Sequence, residues 1–229
     1  MRSHGDARRL SDLGKPALSA RGHFITLEGG EGAGKSTQVK LLVAALEHAG
    51  IPAKATREPG GSPGAEAIRQ LLIEGETERW DAVGEALLLY AARREHITQL
   101  IRPALDAGSW LICDRFNDST VAYQGYGRGV PLDELAMLQQ FAIGDFAPDL
   151  TLILDLPVEE GFARAALRPR RADRFERLDR NFHERLRAGF KAIAAAEPQR
   201  CIVIPASGSV DEVHHAIVAT VAPRFGVKL

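Results

Sequence analysis

The chain has 229 residues, 29 of them basic and 30 acidic, for a formal net charge of −1. That balance argues against a general nucleic-acid coat and against a polybasic membrane binder. Apolar residues make up 45% and charged residues 26%, so the chain can bury a sizeable core without disulfide or metal staples; no run approaches the roughly 18 consecutive apolar residues of a membrane span.

Residues 1–22 stand apart. They carry five basic and two acidic residues and no apolar run, which excludes a secretory signal. Their arginine and serine content has a faint likeness to an organellar transit peptide, but Asp6 and Asp12 count against one. A disordered extension or an upstream start codon is expected.

From His23 the pattern becomes regular. HFITLE (23–28) predicts a buried strand, followed by a glycine-rich turn. Val39, Leu42, Val43 and Leu46 predict a helix over 36–49, ended by Gly50. PAKAT (52–56) predicts a short strand and REPGGSPG a turn. A helix follows through Ile68, Leu71 and Leu72. Residues 81–107 predict a longer helix, kinked or reset near Pro103. SWLICD (109–114), DLTLILDL (149–156) and RCIVIPA (200–206) predict three further buried strands. Helical patterns fill 132–144, 158–168, 174–196 and 209–222. Strands alternating with helices imply a parallel sheet of about five strands, covered on both faces. The reading is a single α/β domain over 23–229 with an arginine-rich insert near 168–174.

Cys113 and Cys201 lie within or beside apolar runs and read as small buried thiols. No CxxC pair or Cys/His spacing suggests zinc, and the adjacent His214 and His215 lack the i, i+4 spacing of a two-histidine metal site. A reducing, cytoplasmic setting fits.

The decisive signal is GGEGAGKS at 29–36. It matches G-x-x-x-x-G-K-[ST], directly after a strand and directly before a helix. Its glycines let successive backbone N–H groups curl around an anion, and the next helix points its positive end at the same place. The residues expected around ATP are Gly29, Gly30, Glu31, Gly32, Ala33, Gly34, Lys35, Ser36 and Thr37. Lys35 would reach the β- and γ-phosphates, and Ser36 would place its hydroxyl on Mg²⁺. Asp114, closing a distant buried strand, is the expected second Mg²⁺ contact, acting through water; Asp155, after TLIL, is its competitor.

A phosphate loop alone does not choose between a kinase, a motor ATPase and a switch GTPase. The arginines narrow the choice. Arg57 opens the glycine-rich turn RxPGG (57–61), Arg93 and Arg94 lie on the long helix, and Arg115 follows Asp114. In a parallel sheet Glu31, Arg57 and Arg115 emerge at the carboxyl edge, where ligands bind. Guanidinium groups there suit a second phosphorylated substrate.

From about His23 to its C-terminus the chain resembles the bacterial thymidylate kinases. The carrying segments are FITLEGGEGAGKSTQ (24–38), TREPGG (56–61), YAARREH (90–96), DRFNDSTVAYQGYGRG (114–129), PDLTLILD (148–155) and DRFE (173–176). The resemblance implies a P-loop fold of the nucleoside-monophosphate-kinase type with a short lid at about 165–176. It implies transfer of the γ-phosphate of ATP to dTMP, with Mg²⁺, in a cytoplasmic homodimer built on helices around 81–100 and 132–144. Membrane and nucleic acid are not expected partners.

By the same resemblance Glu31 would contact the deoxyribose 3′-hydroxyl, and Arg57, Arg93 and Arg115 would position the acceptor phosphate. Ser119, Thr120 and Gln124 would read the thymine or its surroundings. Tyr123 would pack where a 2′-hydroxyl would sit, and 204–208 would lie beside adenine. The family's base-stacking aromatic, four residues before the helix arginine, is here Leu89. Either the neighbouring Tyr90 takes that role or the phosphate arginine is Arg94. None of the variable loop positions Gly30, Glu31, Gly32 and Ala33 is basic. The catalytic arginine is therefore expected from the lid, from Arg168, Arg170 or Arg171. The competing readings are a kinase for another monophosphate, a slow ATPase switch bound to protein or DNA, and an inactive binding module.

Overall fold

The structure, a computed structural model, describes residues 21–76, 78–167, 174–175 and 177–229. Its centre is a five-stranded sheet, in which β1 (Phe24–Gly29) lies between β3 (Trp110–Asp114) and β4 (Leu150–Asp155). Outside these lie β2 (Ala53–Arg57), beside β3, and β5 (Cys201–Pro205), beside β4. All four pairings are parallel. β1 is buried along its whole length because it has a strand on each side and helices above and below.

Alternation along β1 divides the core. Ile25 and Leu27 face α1 (Lys35–His48) and α9 (Val210–Phe225), where they join Leu42, Leu46 and Ile217. Phe24 faces the other way. It packs with Phe116 and with Ile101, which belongs to a π-helical turn (Ile97–Ile101) between α3 (Ala82–His96) and α4 (Arg102–Asp106). On that same face Ile153 of β4 meets Leu186 and Phe190 of α8 (Arg180–Ala196). The remaining helices are α2 (Pro63–Ile73), α5 (Asn117–Thr120), α6 (Leu132–Ile143) and α7 (Val158–Ala166).

The register sets one functional edge. Leu27 and Arg57 both lie opposite Asp114, on either side of it. The carboxyl ends of β1, β2 and β3 therefore open at one place.

Several boundaries differ from the sequence expectation. The long helix resets at Ile97–Ile101, ahead of Pro103. Proline lacks an N–H and its ring crowds the carbonyl four residues earlier, so the disturbance falls at Gln99. α8 begins at Arg180, not at 174, because the Asp179 side chain accepts the Phe182 N–H at 2.7 Å and caps the helix there. α9 continues past 222 through Pro223 and stops at Gly226, whose φ of 67° an L side chain rarely adopts. α7 ends two residues early, at Ala166. Residues 117–127 are helical, first α5 and then a π-helical turn (Val121–Gly127). At the N-terminus Arg21 already pairs with Asp149 at 3.3 Å, and the Gly22 N–H donates to Leu105 O at 2.8 Å. Residues 1–20 lie outside the described residues.

Candidate active site

The phosphate loop leaves β1 at Gly29 and enters α1 at Lys35. Gly32 (φ 73°) presses against the backbone of Gly161, where a Cβ would collide. Gly34 (φ 89°) starts α1 with no side-chain cap, which leaves the Lys35 and Ser36 N–H groups for an anion, whereas Thr37 N–H donates to Gly34 O at 3.1 Å. Lys35 is nearly buried, and its ammonium donates to Gly29 O at 3.0 Å and Gly30 O at 2.7 Å. Burial, then the neighbouring Arg115, lowers its pKa to about 8, against the pull of Glu31, Asp114 and Glu28. The Ser36 hydroxyl donates to Asp114 Oδ2. These two oxygen-bearing side chains meet although 78 residues separate them.

A cavity of about 510 Å³ runs from this loop to α3. Glu31, Gly34, Lys35, Ser36, Thr37 and Asp114 line its loop end. Arg57, Arg93, Arg115, Ser119, Thr120, Tyr123 and Gln124 also line the cavity. Gly29, Gly30, Gly32 and Ala33 form the loop behind the lining.

Arg115 follows β3 in a left-handed conformation, φ 71°, unusual for a side chain of its size. The turn is held by the buried Glu28, whose carboxyl accepts the Phe116 N–H at 2.7 Å and the Ser119 hydroxyl at 2.5 Å. The Arg115 guanidinium is thereby brought to Glu31 Oε1 at 2.5 Å and to Gly29 O at 3.1 Å. Tyr123 donates its hydroxyl to the same Glu31 oxygen at 2.8 Å, and its ring lies under the Arg115 guanidinium.

Arg93 is 1% exposed and is held on every side. Its Nε donates to Glu58 Oε2 at 2.8 Å, and its terminal nitrogens donate to Phe116 O at 3.1 Å, Thr120 Oγ1 at 2.9 Å and Asn117 Oδ1 at 3.3 Å. Glu58 Oε1 lies 3.1 Å from His96 Nδ1, and His96 Nε2 lies 2.7 Å from Thr56 Oγ1. Gly61 must lack a side chain because the His96 ring occupies that space. The TREPGG turn and the end of α3 thus brace one another.

The structure separates the alternatives on α3. Leu89 lines the cavity, whereas Tyr90 does not. Tyr90 is buried among Ala86, Val130 and Leu135, and its ring backs the Arg93 guanidinium at 4.9 Å. The expectation that Tyr90 meets the base is corrected accordingly, since successive helix positions point about 100° apart. Arg94 is exposed and donates to Ala142 O at 3.2 Å, so Arg93 is the arginine of the cavity. Asp155 is engaged by Arg187 at 2.6 Å and Lys191 at 3.0 Å, and its pKa is lowered chiefly by the Arg187 bond. Arg168, Arg170 and Arg171 lie outside the described residues.

Sequence reasoning missed Glu28, Glu58, Arg69, His96 and Phe175. Arg69 lines the cavity from α2 and donates to Pro59 O at 2.7 Å. Its signal was available: it stands between Ala65 and Leu72, on the buried stripe of that helix. Phe175 closes the wall beside Tyr123, with ring centroids 5.8 Å apart.

A family model described as thymidylate kinase matches residues 27–217. The chain belongs to the thymidylate kinase family. Thymidylate kinase of Caulobacter vibrioides is 54% identical over 207 residues, 90% of this chain and 99% of the relative. That of Rhodopseudomonas palustris is 54% identical over 210 residues, 90% of this chain and 91% of the relative. A crystal structure of thymidylate kinase from Ehrlichia chaffeensis superposes with a TM-score of 0.69 at 35% identity, covering 87% of this chain and 98% of that one. The shared fold is the parallel P-loop type expected from the sequence. Among the described residues no helix is long and apolar enough to cross a membrane.

A thymidylate kinase phosphorylates dTMP with ATP, generally with Mg²⁺. The donor set here fits that ion. Ser36 and Asp114 supply hard oxygens at the mouth of the phosphate loop. No cluster of three or more His, Cys, Asp or Glu suited to a metal occurs among the described residues. Two protein oxygens are what Mg²⁺ needs when phosphates and waters complete its shell.

Proposed function

We propose that this chain transfers the γ-phosphoryl group of ATP to dTMP by aligning the two phosphates between the loop end and the Arg93 wall of one cavity. The observation that carries this reading is that a single cavity is lined both by Lys35, Ser36 and Asp114 and by Arg57, Arg93 and Arg115. Phosphoryl transfer asks little covalent chemistry of a protein; it asks for in-line placement and neutralised charge.

Lys35 and the loop N–H groups hold the β- and γ-phosphates of ATP. Ser36 and Asp114 would hold Mg²⁺, which would supply positive charge to offset that of the phosphates. Arg57, Arg93 and Arg115 hold the acceptor phosphate. Glu31 takes the 3′-hydroxyl, and Tyr123 fills the place of a 2′-hydroxyl. Gln124, Ser119 and Thr120 face the base, with Leu89 supplying apolar contact where relatives use an aromatic. One of Arg168, Arg170 and Arg171 supplies the arginine that the variable loop positions lack.

The chain acts as a homodimer in the cytoplasm. Val83 and Leu87 of α3 and Met137 and Phe141 of α6 are exposed, Phe141 by 90%, and such a face is costly to leave in water. Phe141→Glu should give a monomer by light scattering. The buried, unpaired Cys113 and Cys201 support a reducing compartment.

Formation of ADP measured across dTMP, dUMP, dCMP and UMP tests the function. dTMP should be the best acceptor. UMP should fall at least about tenfold below it in kcat/KM, because a buried hydroxyl without space or partner costs about 1–3 kcal/mol. Equal kcat/KM for UMP and dTMP would overturn the reading.

A further inference from the structure

Gln124 lines the acceptor end of the cavity and is fully buried. Its Nε2 donates to Glu85 Oε2 at 2.9 Å, and its Oε1, itself buried, has no partner among the described residues. Glu85 does not line the cavity. It is fully buried on α3, where its Oε1 also meets Arg128 at 3.2 Å and Arg174 at 2.6 Å. Those two arginines are anchored independently, Arg128 on Trp80 O at 3.2 Å and Arg174 on Leu72 O at 3.0 Å.

All three groups facing Glu85 are donors, so the residue at 85 must accept. A side-chain amide has one donating and one accepting end. Turning the Gln124 amide over would set its oxygen against the Glu85 carboxylate, two acceptors together in a buried place. The donating end is therefore committed to Glu85, and the oxygen is the end left for an acceptor nucleotide to meet.

We infer that Glu85 is a specificity-determining positioning residue: by fixing the Gln124 amide with its oxygen toward the acceptor base, it selects a pyrimidine whose N3 carries a hydrogen. Thymine and uracil are such bases. Cytosine presents a bare N3, an acceptor facing an acceptor, and is rejected. The inference deepens the proposed role of Gln124 and rests on it. A site built around a required hydrogen bond discriminates strongly, because the wrong ligand leaves the buried partner unpaired.

The test compares kcat/KM for dTMP and dCMP in the wild type, Glu85→Gln and Gln124→Met. Glutamine at 85 can donate to Gln124 Oε1 and so allows the amide to turn. The dCMP-to-dTMP ratio should rise at least about tenfold in Glu85→Gln. Gln124→Met should lose most of the preference between the two bases. If Gln124→Met keeps the wild-type preference, Gln124 does not read the base, and the reading beneath the inference fails. If Gln124→Met loses the preference while Glu85→Gln keeps the wild-type ratio, only the role of Glu85 is overturned.

Glu85→Gln removes a charge partner from two arginines and can fail to fold. A second measurement uses the wild-type protein. The Gln124 side-chain amide is assigned in a proton–nitrogen correlation spectrum by its loss in Gln124→Met. Its protons should exchange slowly with solvent and hold their positions when dTMP binds. Fast exchange, or a shift marking donation to the nucleotide, would overturn the inference whatever the variant does.

Discussion

The two ends of the cavity are built by opposite means. At the loop end eight consecutive residues, Gly29 to Ser36, offer chiefly backbone N–H groups and one ammonium. At the acceptor end Arg93 comes from α3, Glu58 from the turn after β2, and Thr120 from α5, and buried ion pairs hold them together. A backbone site needs only glycines and a helix start, so it can be contiguous. A side-chain site that buries charge must bring each charge its partner, and the partners come from distant parts of the chain.

The largest expected effect concerns the cation missing from the loop end. None of Gly30, Glu31, Gly32 and Ala33 is basic. If Arg168, Arg170 or Arg171 supplies the charge on the transferring group, one of the three single alanine variants should lose at least about a hundredfold in kcat, with KM for dTMP little altered. Lysine at that position should rescue poorly, because it lacks the planar fork. Near-normal kcat at saturating ATP in the triple alanine variant would place the charge elsewhere and leave the loop end self-sufficient.

The acceptor end should break differently. Arg93→Ala leaves Glu58, 4% exposed at its side chain, with only the His96 ring on its other oxygen among the described residues. Removing one member of a buried pair costs about 3–5 kcal/mol, so the unfolding midpoint in urea should fall markedly. The same variant should lose the thermal stabilisation given by dTMP while keeping that given by ATP. Wild-type stability with an intact dTMP shift would show that the two ends do not divide the substrates in this way.

This division also explains what could be read from sequence. The loop's function is carried by spacing within one string, so Lys35 and Ser36 were legible from that string. Four of the five strands were legible as apolar runs bounded by turns, whereas β2, AKATR and largely exposed, was marked only by Pro52 before it and the glycine-rich turn after it. Ser119 and Gln124 were reached only through resemblance, and Arg93 only as one of two neighbouring arginines on its helix, because no local pattern marks a residue whose partner lies tens of positions away. Glu58 and His96 gave no signal, since a glutamate in a turn and a histidine ending a helix look like ordinary solvated residues. The helix at 117–127 was hidden because NDSTVAYQG mixes β-branched residues and glycine, which propensity disfavours. Its hydrogen bonds to Glu28, Arg93 and Glu85 hold it in place.

The smallest expected effect lies at Glu28, where the two ends join. Glu28 closes β1 just before the phosphate loop, and its carboxyl holds the turn that presents Arg115. Burial first, and then the charge of Asp118, raises its pKa from the ordinary 4.5 to about 8, against the opposing effects of Ser119, Arg115 and the Phe116 N–H. In the unfolded chain the group loses its proton near 4.5. Between those values the folded protein keeps a proton that the unfolded chain has released, so stability falls as pH rises through the window. The loss is at most about 1.4 kcal/mol per pH unit and levels off above about pH 8. Glutamine at 28 keeps an acceptor for Phe116 and does not titrate. The unfolding free energy of Glu28→Gln, relative to wild type, should therefore improve by about 1 kcal/mol for each pH unit between about pH 5.5 and pH 7.5. Urea unfolding at several pH values measures it. A difference that stays flat across that window would mean that Glu28 is ionised in the folded chain, and that Arg115 and Ser119 outweigh its burial.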